Sequence, residues 1–99
     1  MGKIRKRTVR WEASADAKKY RLYWSTQGPV GYDSEFFEIE NKSLVILPDE
    51  IASFPKIAGN IEIGITAVNA AGNESDITIV RVFVDFTVPE APKAITVED

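Results

Sequence analysis

The sequence predicts an all-β chain, an antiparallel sandwich of two sheets built from about seven short strands. Three observations predict it. Apolar and polar residues alternate at period two in segment after segment. Clusters of Gly, Pro, Asn, Asp and Ser interrupt these segments about every ten residues. Almost nothing repeats at the helical period of about 3.6 residues. The 99 residues suit one domain, long enough for a hydrophobic core without disulfide or metal staples.

Each element follows from its own pattern. Residues 8–13, TVRWEA, put Val9, Trp11 and Ala13 on one face, which predicts a strand with Trp11 in the core. Ser14–Ala17 is a turn. Residues 18–25, KKYRLYWS, place Tyr20, Leu22 and Trp24 inward and Arg21 and Tyr23 outward, a second strand expected antiparallel to the first. Residues 26–34 hold two Gly and one Pro and read as an exposed loop. In 35–40, EFFEIE, Phe37 and Ile39 face one way and Phe36, Glu38 and Glu40 the other. Residues 43–47, SLVIL, form a strand with Leu44 and Ile46 expected inward, and Pro48 stops it by removing a donor. Between Asp49 and Gly59, DEIASF predicts one helical turn whose Ile51 and Phe54 plug the end of the core, closed by Pro55. Ile61–Ala70 alternates strictly at Ile61, Ile63, Ile65 and Ala67 and leads through a Gly-containing turn at Asn69–Asn73 into a hairpin. The last strand, Asp76–Phe86, carries Val80, Val82, Val84 and Phe86 on one face. Ile77 and Ile79 fall on the other parity, so a bulge near Ile79–Val80 is expected to bring both sets inward.

Composition narrows the function classes. Apolar residues are 44% and charged residues 27%, with a net charge of −3, too modest to point to nucleic acid. No apolar run approaches the roughly 18 residues that cross a bilayer, so no membrane insertion is expected. The basic start MGKIRKR has no apolar stretch after it, so a secretion signal is not expected there. With no Cys and no His, thiolate nucleophiles, Cys/His metal sites and the commonest general base are absent. There is no Gly-rich nucleophile elbow and no phosphate-cradling loop, so the expectation is a non-enzyme without cofactor or metal. Glu35, Glu38 and Glu40 could be read as an acid–base cluster, or with Asp33 as oxygen ligands for calcium. Their alternation with Phe37 and Ile39 instead reads as the solvated face of an edge strand. Lys3–Arg7 is a solvated basic terminus or, on the sharper reading, a docking patch for an acidic surface.

Three motifs in order carry a family likeness: the Trp11 strand TVRWEA, the strand YRLYW at Tyr20–Trp24, and NIEIGITAVNAAGNES at Asn60–Ser75, with its Ala67, Val68, Asn69 and Gly72. Over about residues 8–87 the chain resembles a fibronectin type III domain. The family's last motif runs Tyr-x-Val-x-Val-x-Ala-Val-Asn-x-x-Gly, and Ile61 stands here where the Tyr falls. The resemblance implies that a corner closed by that tyrosine is replaced by packing of Ile51, Phe54 and Ile57. It further implies a modular spacer or protein-interaction domain, residues 1–87, of a larger extracellular or cell-surface protein with tandem neighbours. The adhesion tripeptide Arg-Gly-Asp of some family members is absent, and its usual place is the turn containing Asn69, Gly72 and Asn73.

Residues 88–99 resemble the family's Pro-rich lead-in to its first strand, but at the wrong end of the chain. They read as a linker or as the first strand of a following domain. The alternative is exchange into another copy, which would make a homo-oligomer, because a chain leaving the last strand starts at the wrong pole to complete its own sandwich. Candidate contact residues are Tyr23, Tyr32 and Phe36, with Asn69, Gly72 and Asn73 of the turn. Flat aromatics serve as anchors for a protein partner or as a stacking platform for a carbohydrate; Phe36 and Phe83 can equally cover other apolar surface. Asn41-Lys42-Ser43 and Asn73-Glu74-Ser75 match the N-glycosylation pattern.

Overall fold

The computed structural model describes residues 2–40 and 42–99, so Asn41 of the first glycosylation pattern lies outside the described residues. Among the described residues six strands form in chain order, against the expected seven or so: β1 (Arg7–Arg10), β2 (Lys19–Ser25), β3 (Glu35–Glu40), β4 (Leu44–Leu47), β5 (Ala58–Val68) and β6 (Thr78–Asp85). Among the described residues there is no helix. One sheet has the order β3-β2-β5-β6, the other pairs β1 with β4, and every pairing is antiparallel. The chain therefore changes sheets between β1 and β2, between β3 and β4, and between β4 and β5.

The core lies between the sheets. In the β2–β5 register Tyr20 stands opposite Ala67, Leu22 opposite Ile65 and Trp24 opposite Ile63. Directly opposed residues point to the same face, so these six make one apolar surface. Ile61 and Val84 extend it, and Val45 and Leu47 of β4 close over it from the other sheet.

The first correction concerns β1, which pairs with β4 and not with β2. The Trp11 and Tyr20 rings meet with centroids 5.5 Å apart, because both strands send apolar side chains into the same space from opposite layers. Strands in one sheet would set those side chains in a row. The turn between them places Asp16 at φ 64°, and the Ser14 N–H donates to the Tyr20 hydroxyl at 2.9 Å. Trp11 itself is half-buried at the rim of the core.

The second correction is the parity of β4. Val45 and Leu47 are buried, not Leu44 and Ile46. Val9 faces inward and its partner is Val45, so Val45 must face inward too, while Leu44 and Ile46 sit opposite Arg10 and Thr8 on the outer side.

The third concerns the expected bulge. The β5–β6 register runs unbroken from Ala58↔Asp85 to Ile65↔Thr78. Ile77 stays on the outer face, where it packs over Gly64 beside Val30. That apolar cover removes any need for a bulge. Phe37 has the predicted inward parity opposite Leu22, but it sits on an edge strand beyond the small facing sheet and stays partly exposed, while Ile39 is buried.

The connection from Pro48 to Ile57 forms successive turns in place of the expected helical turn, with hydrogen bonds from Glu50 N to Ile46 O, Ile51 N to Pro48 O and Phe54 N to Ile51 O. The core plug is as the sequence predicts. Ile51 and Phe54 are buried, and the Phe54 ring packs 5.1 Å from Trp24 and 5.9 Å from Phe86. Residues 88–99 form no strand and are exposed throughout. With them the molecule is 69 Å long against 27 and 19 Å in the other directions.

Candidate functional site

Strand parity puts Tyr23 on the outer face of the four-stranded sheet, opposite Gly64 of β5 and Phe36 of β3. Gly64 leaves a hollow there. A Cβ at that position would lie 2.5 Å from Ile77 Cγ2 and 3.3 Å from Val30 Cγ1. Two loops fold into the hollow: residues 26–34, carrying Val30 and Tyr32, and residues 69–77, carrying Glu74 and Ile77. Along the second half of β5 the outward side is buried as thoroughly as the inward side, with Gly64, Thr66 and Val68 all buried.

Tyr23 is consequently 1% exposed, which corrects its reading as a surface aromatic. Its ring lies 5.3 Å from Phe36 and 6.2 Å, edge-on, from Tyr32. Its hydroxyl donates a short hydrogen bond to Glu74 Oε2. Thr66 Oγ1 donates to the same oxygen at 2.5 Å, and Arg21 Nη1 pairs with Glu74 Oε1 at 3.1 Å. Arg21 also reaches Glu38 at 3.0 Å and lies with its guanidinium 5.1 Å over the Phe36 ring. Lys19 adds a second cation to Glu38 at 3.1 Å.

The electrostatics follow from these partners. Burial pushes the Glu74 carboxyl upward, but the hydrogen bonds from Thr66 and Tyr23 and the Arg21 charge outweigh it and hold the group below its ordinary value. Burial, then the hydrogen bond to Glu74, pushes the Tyr23 hydroxyl above its ordinary value. Hydrogen bonds from Lys19 and then Arg21 hold Glu38 below the usual carboxylate range. A carboxylate engaged by three donors is a fixed acceptor that ties a loop to a sheet.

The structure thus brings Tyr23, Tyr32 and Phe36 together, as a clamp with only part of its surface outward. Phe36 remains 45% and Tyr32 53% exposed. The Tyr32 hydroxyl donates to Ser75 O at 2.8 Å, which bridges the two loops. The turn residues serve backbone geometry. Asn69 Oδ1 accepts from the N–H of Ala71 at 3.1 Å and of Asn73 at 2.9 Å, and Gly72 adopts φ 87°. Asn69, Gly72 and Asn73 are nevertheless exposed, beside the clamp. Sequence reading missed Arg21, Thr66 and Glu74. The signal for Thr66 was a hydroxyl flanked by apolar residues in the middle of a strand; Glu74, within a turn, carried none. Among the described residues no three His, Cys, Asp or Glu side chains are grouped so as to hold a metal ion.

The inner face offers a second feature. A groove of about 350 Å³ opens between β1 and β6, lined by Val9, Trp11, Tyr20, Ile63, Ile65 and Val80 among others. It continues toward Arg7, Val82 and Val84 as a further 230 Å³. The Trp11 Nε1 is buried and has no hydrogen-bond partner among the described residues. The chain matches no family model, and comparison with curated proteins and with solved structures finds no match.

Proposed function

We propose that the chain is a non-enzymatic, fibronectin type III-like module that acts as a spacer and protein-interaction unit of a larger surface or extracellular protein. The observation that carries this reading is the way the three sequence motifs sit in the two sheets. Trp11 packs from the end of β1 against Tyr20 of β2, Tyr20 stands opposite Ala67 of β5, and the chain changes sheets between these strands. Connections of that kind, with alternating inward residues, mark sandwiches of the immunoglobulin type. The clamp around Glu74 stiffens the outer face, which suits a unit that sets the distance between neighbours. Tyr32, Phe36 and the Asn69–Asn73 turn are the surface it offers for contacts.

The spacer reading is testable because the chain has no Cys. Two copies joined in tandem through residues 88–99, each carrying Thr26→Cys with a spin label, should give one narrow inter-label distance distribution. A broad distribution spread over tens of ångströms overturns the spacer reading.

A further inference from the structure

The groove between β1 and β6 lies where one strand is missing from the smaller sheet. Val80 shows this best. It shares the inward parity of Val82 and Val84 and stands opposite the buried Ile63, yet it is 54% exposed. The facing sheet ends at β1, one strand short of covering it. Among the described residues β1 has no partner on its edge away from β4. The Trp11 N–H already bonds to Ser43 O on the β4 side at 3.0 Å. Hydrogen-bonding direction alternates along an antiparallel strand, so Thr8 and Arg10 turn their N–H and C=O groups to the open edge.

We infer that this groove accepts residues 93–99 of a second copy of the chain as an added antiparallel strand beside β1. Two features select that occupant. Ile95 and Val97 are 89% and 93% exposed, and as alternate residues they present one apolar face to the groove. Charges match as well. With Ile95 opposite Trp11 and Val97 opposite Val9, Asp99 falls opposite Arg7 and Glu98 lies beside the Lys3–Arg7 cluster.

Chain direction makes the donor a different molecule. β1 runs from the Arg7 pole to the Trp11 pole and β6 runs the opposite way, since Arg7 Nη1 bonds to Phe83 O while Trp11 and Thr78 line the same end of the groove. The tail leaves at the Arg7 pole, where Val88 packs beside Gly2. An antiparallel strand must enter from the Trp11 pole. The climb from Val88 to the level of Thr78 is about 33 Å. Ile95 has to sit at that level, opposite Trp11, and residues 89–95 reach at most about 25 Å fully extended, so the chain's own tail cannot make this pairing. The donor is therefore another copy, and head-to-tail addition of this kind gives a ring or a linear chain of copies. This inference rests on the open groove and chain polarity, and it stands without the spacer reading.

Two full-length variants test it. Ile95→Asp with Val97→Asp disables the donor at side chains that touch nothing in the fold, and Val80→Asp charges the acceptor groove. By sedimentation the unaltered chain should form dimers or longer species, both variants should be monomers, and an equimolar mixture of the two should form a heterodimer. A synthetic peptide of residues 88–99 should shift the Trp emission of the donor variant saturably. The same two aspartates in the peptide should weaken binding by at least about 100-fold. An unaltered chain that stays monomeric while the peptide leaves Trp emission unchanged overturns the inference. So does self-association that persists in the donor variant, or a monomer whose own residues 93–99 are protected from hydrogen exchange. Restoration failing in the mixture while both variants remain folded by circular dichroism overturns it equally.

Discussion

Tyr23 and Glu74, 51 positions apart, are joined by a hydrogen bond from the tyrosine hydroxyl to a carboxylate oxygen on the outer face of the larger sheet. The pair fastens the 69–77 loop to β2, and Thr66 and Arg21 complete the ring of donors around the carboxylate. Tyr23→Phe keeps the ring stack and removes one donor, so it should cost about 1.5–3 kcal/mol, the range for a hydrogen bond to a charged group. Urea unfolding should show a lower midpoint with an unchanged slope. Combined with Glu74→Gln, the loss should fall short of the sum of the single losses, because the two side chains act on one bond. Strict additivity would show that the pair contributes nothing of its own.

Stability should depend on pH at both ends of the scale. The Glu74 pKa is lowered on folding, so its contribution is present in full above the ordinary glutamate value of about 4.3 and is lost as pH falls through the lowered folded value. The Tyr23 pKa is raised on folding, so its contribution holds below about pH 10 and is lost as pH climbs from there through the raised folded value. In Glu74→Gln the acid limb of a plot of unfolding free energy against pH should flatten. Its deficit against the unaltered chain should shrink as pH falls below the ordinary glutamate value of about 4.3 and through the lowered folded value. An acid limb of unchanged steepness would assign acid sensitivity to other carboxylates, Glu38 with its Lys19 and Arg21 partners first among them.

Gly64 is required by packing. Its backbone lies in the strand, but a Cβ would meet Ile77 Cγ2 at 2.5 Å. Gly64→Ala should therefore cost about 1–3 kcal/mol through overpacking, read as a lower thermal midpoint. Ile77→Ala removes the obstructing methyl group. The double variant should be more stable than additivity predicts, because the new alanine occupies space that the isoleucine vacates.

Period-two alternation made the strands of the larger sheet legible, since β2 and β5 each bury one clear apolar face against a partner. Alternation says which face is apolar and leaves the neighbour open. That is why β1 was expected beside β2, when Trp11 meets Tyr20 across the core. In β4, Leu44, Val45, Ile46 and Leu47 are all apolar, so parity is invisible until Val9 pairs with Val45. The outward direction of Tyr23 was legible. Its burial was not, because the side chains that cover it come from loops far away in the chain, and Glu74 carries no local pattern that would mark it as a partner. The open groove was unreadable for a related reason: Val80 looks like any core valine until the facing sheet proves too narrow to cover it.

The 49–59 connection shows how an irregular segment can anchor a core. Phe54 is buried between Trp24 and Phe86, with centroid distances of 5.1 and 5.9 Å, and it ties β2 to the end of β6 without belonging to either sheet. Phe54→Ala removes a buried aromatic from a pole where the backbone is held by tight turns, so little collapse can refill the space. The expected loss is about 3–5 kcal/mol. Trp24 loses a ring neighbour in the same change, and its fluorescence should shift to longer wavelength as water gains access. Phe54→Leu keeps most of the volume and should recover more than half of the loss. If Phe54→Ala instead costs under about 1 kcal/mol, the connection is a surface loop in energetic terms and the core ends at Trp24 and Phe86.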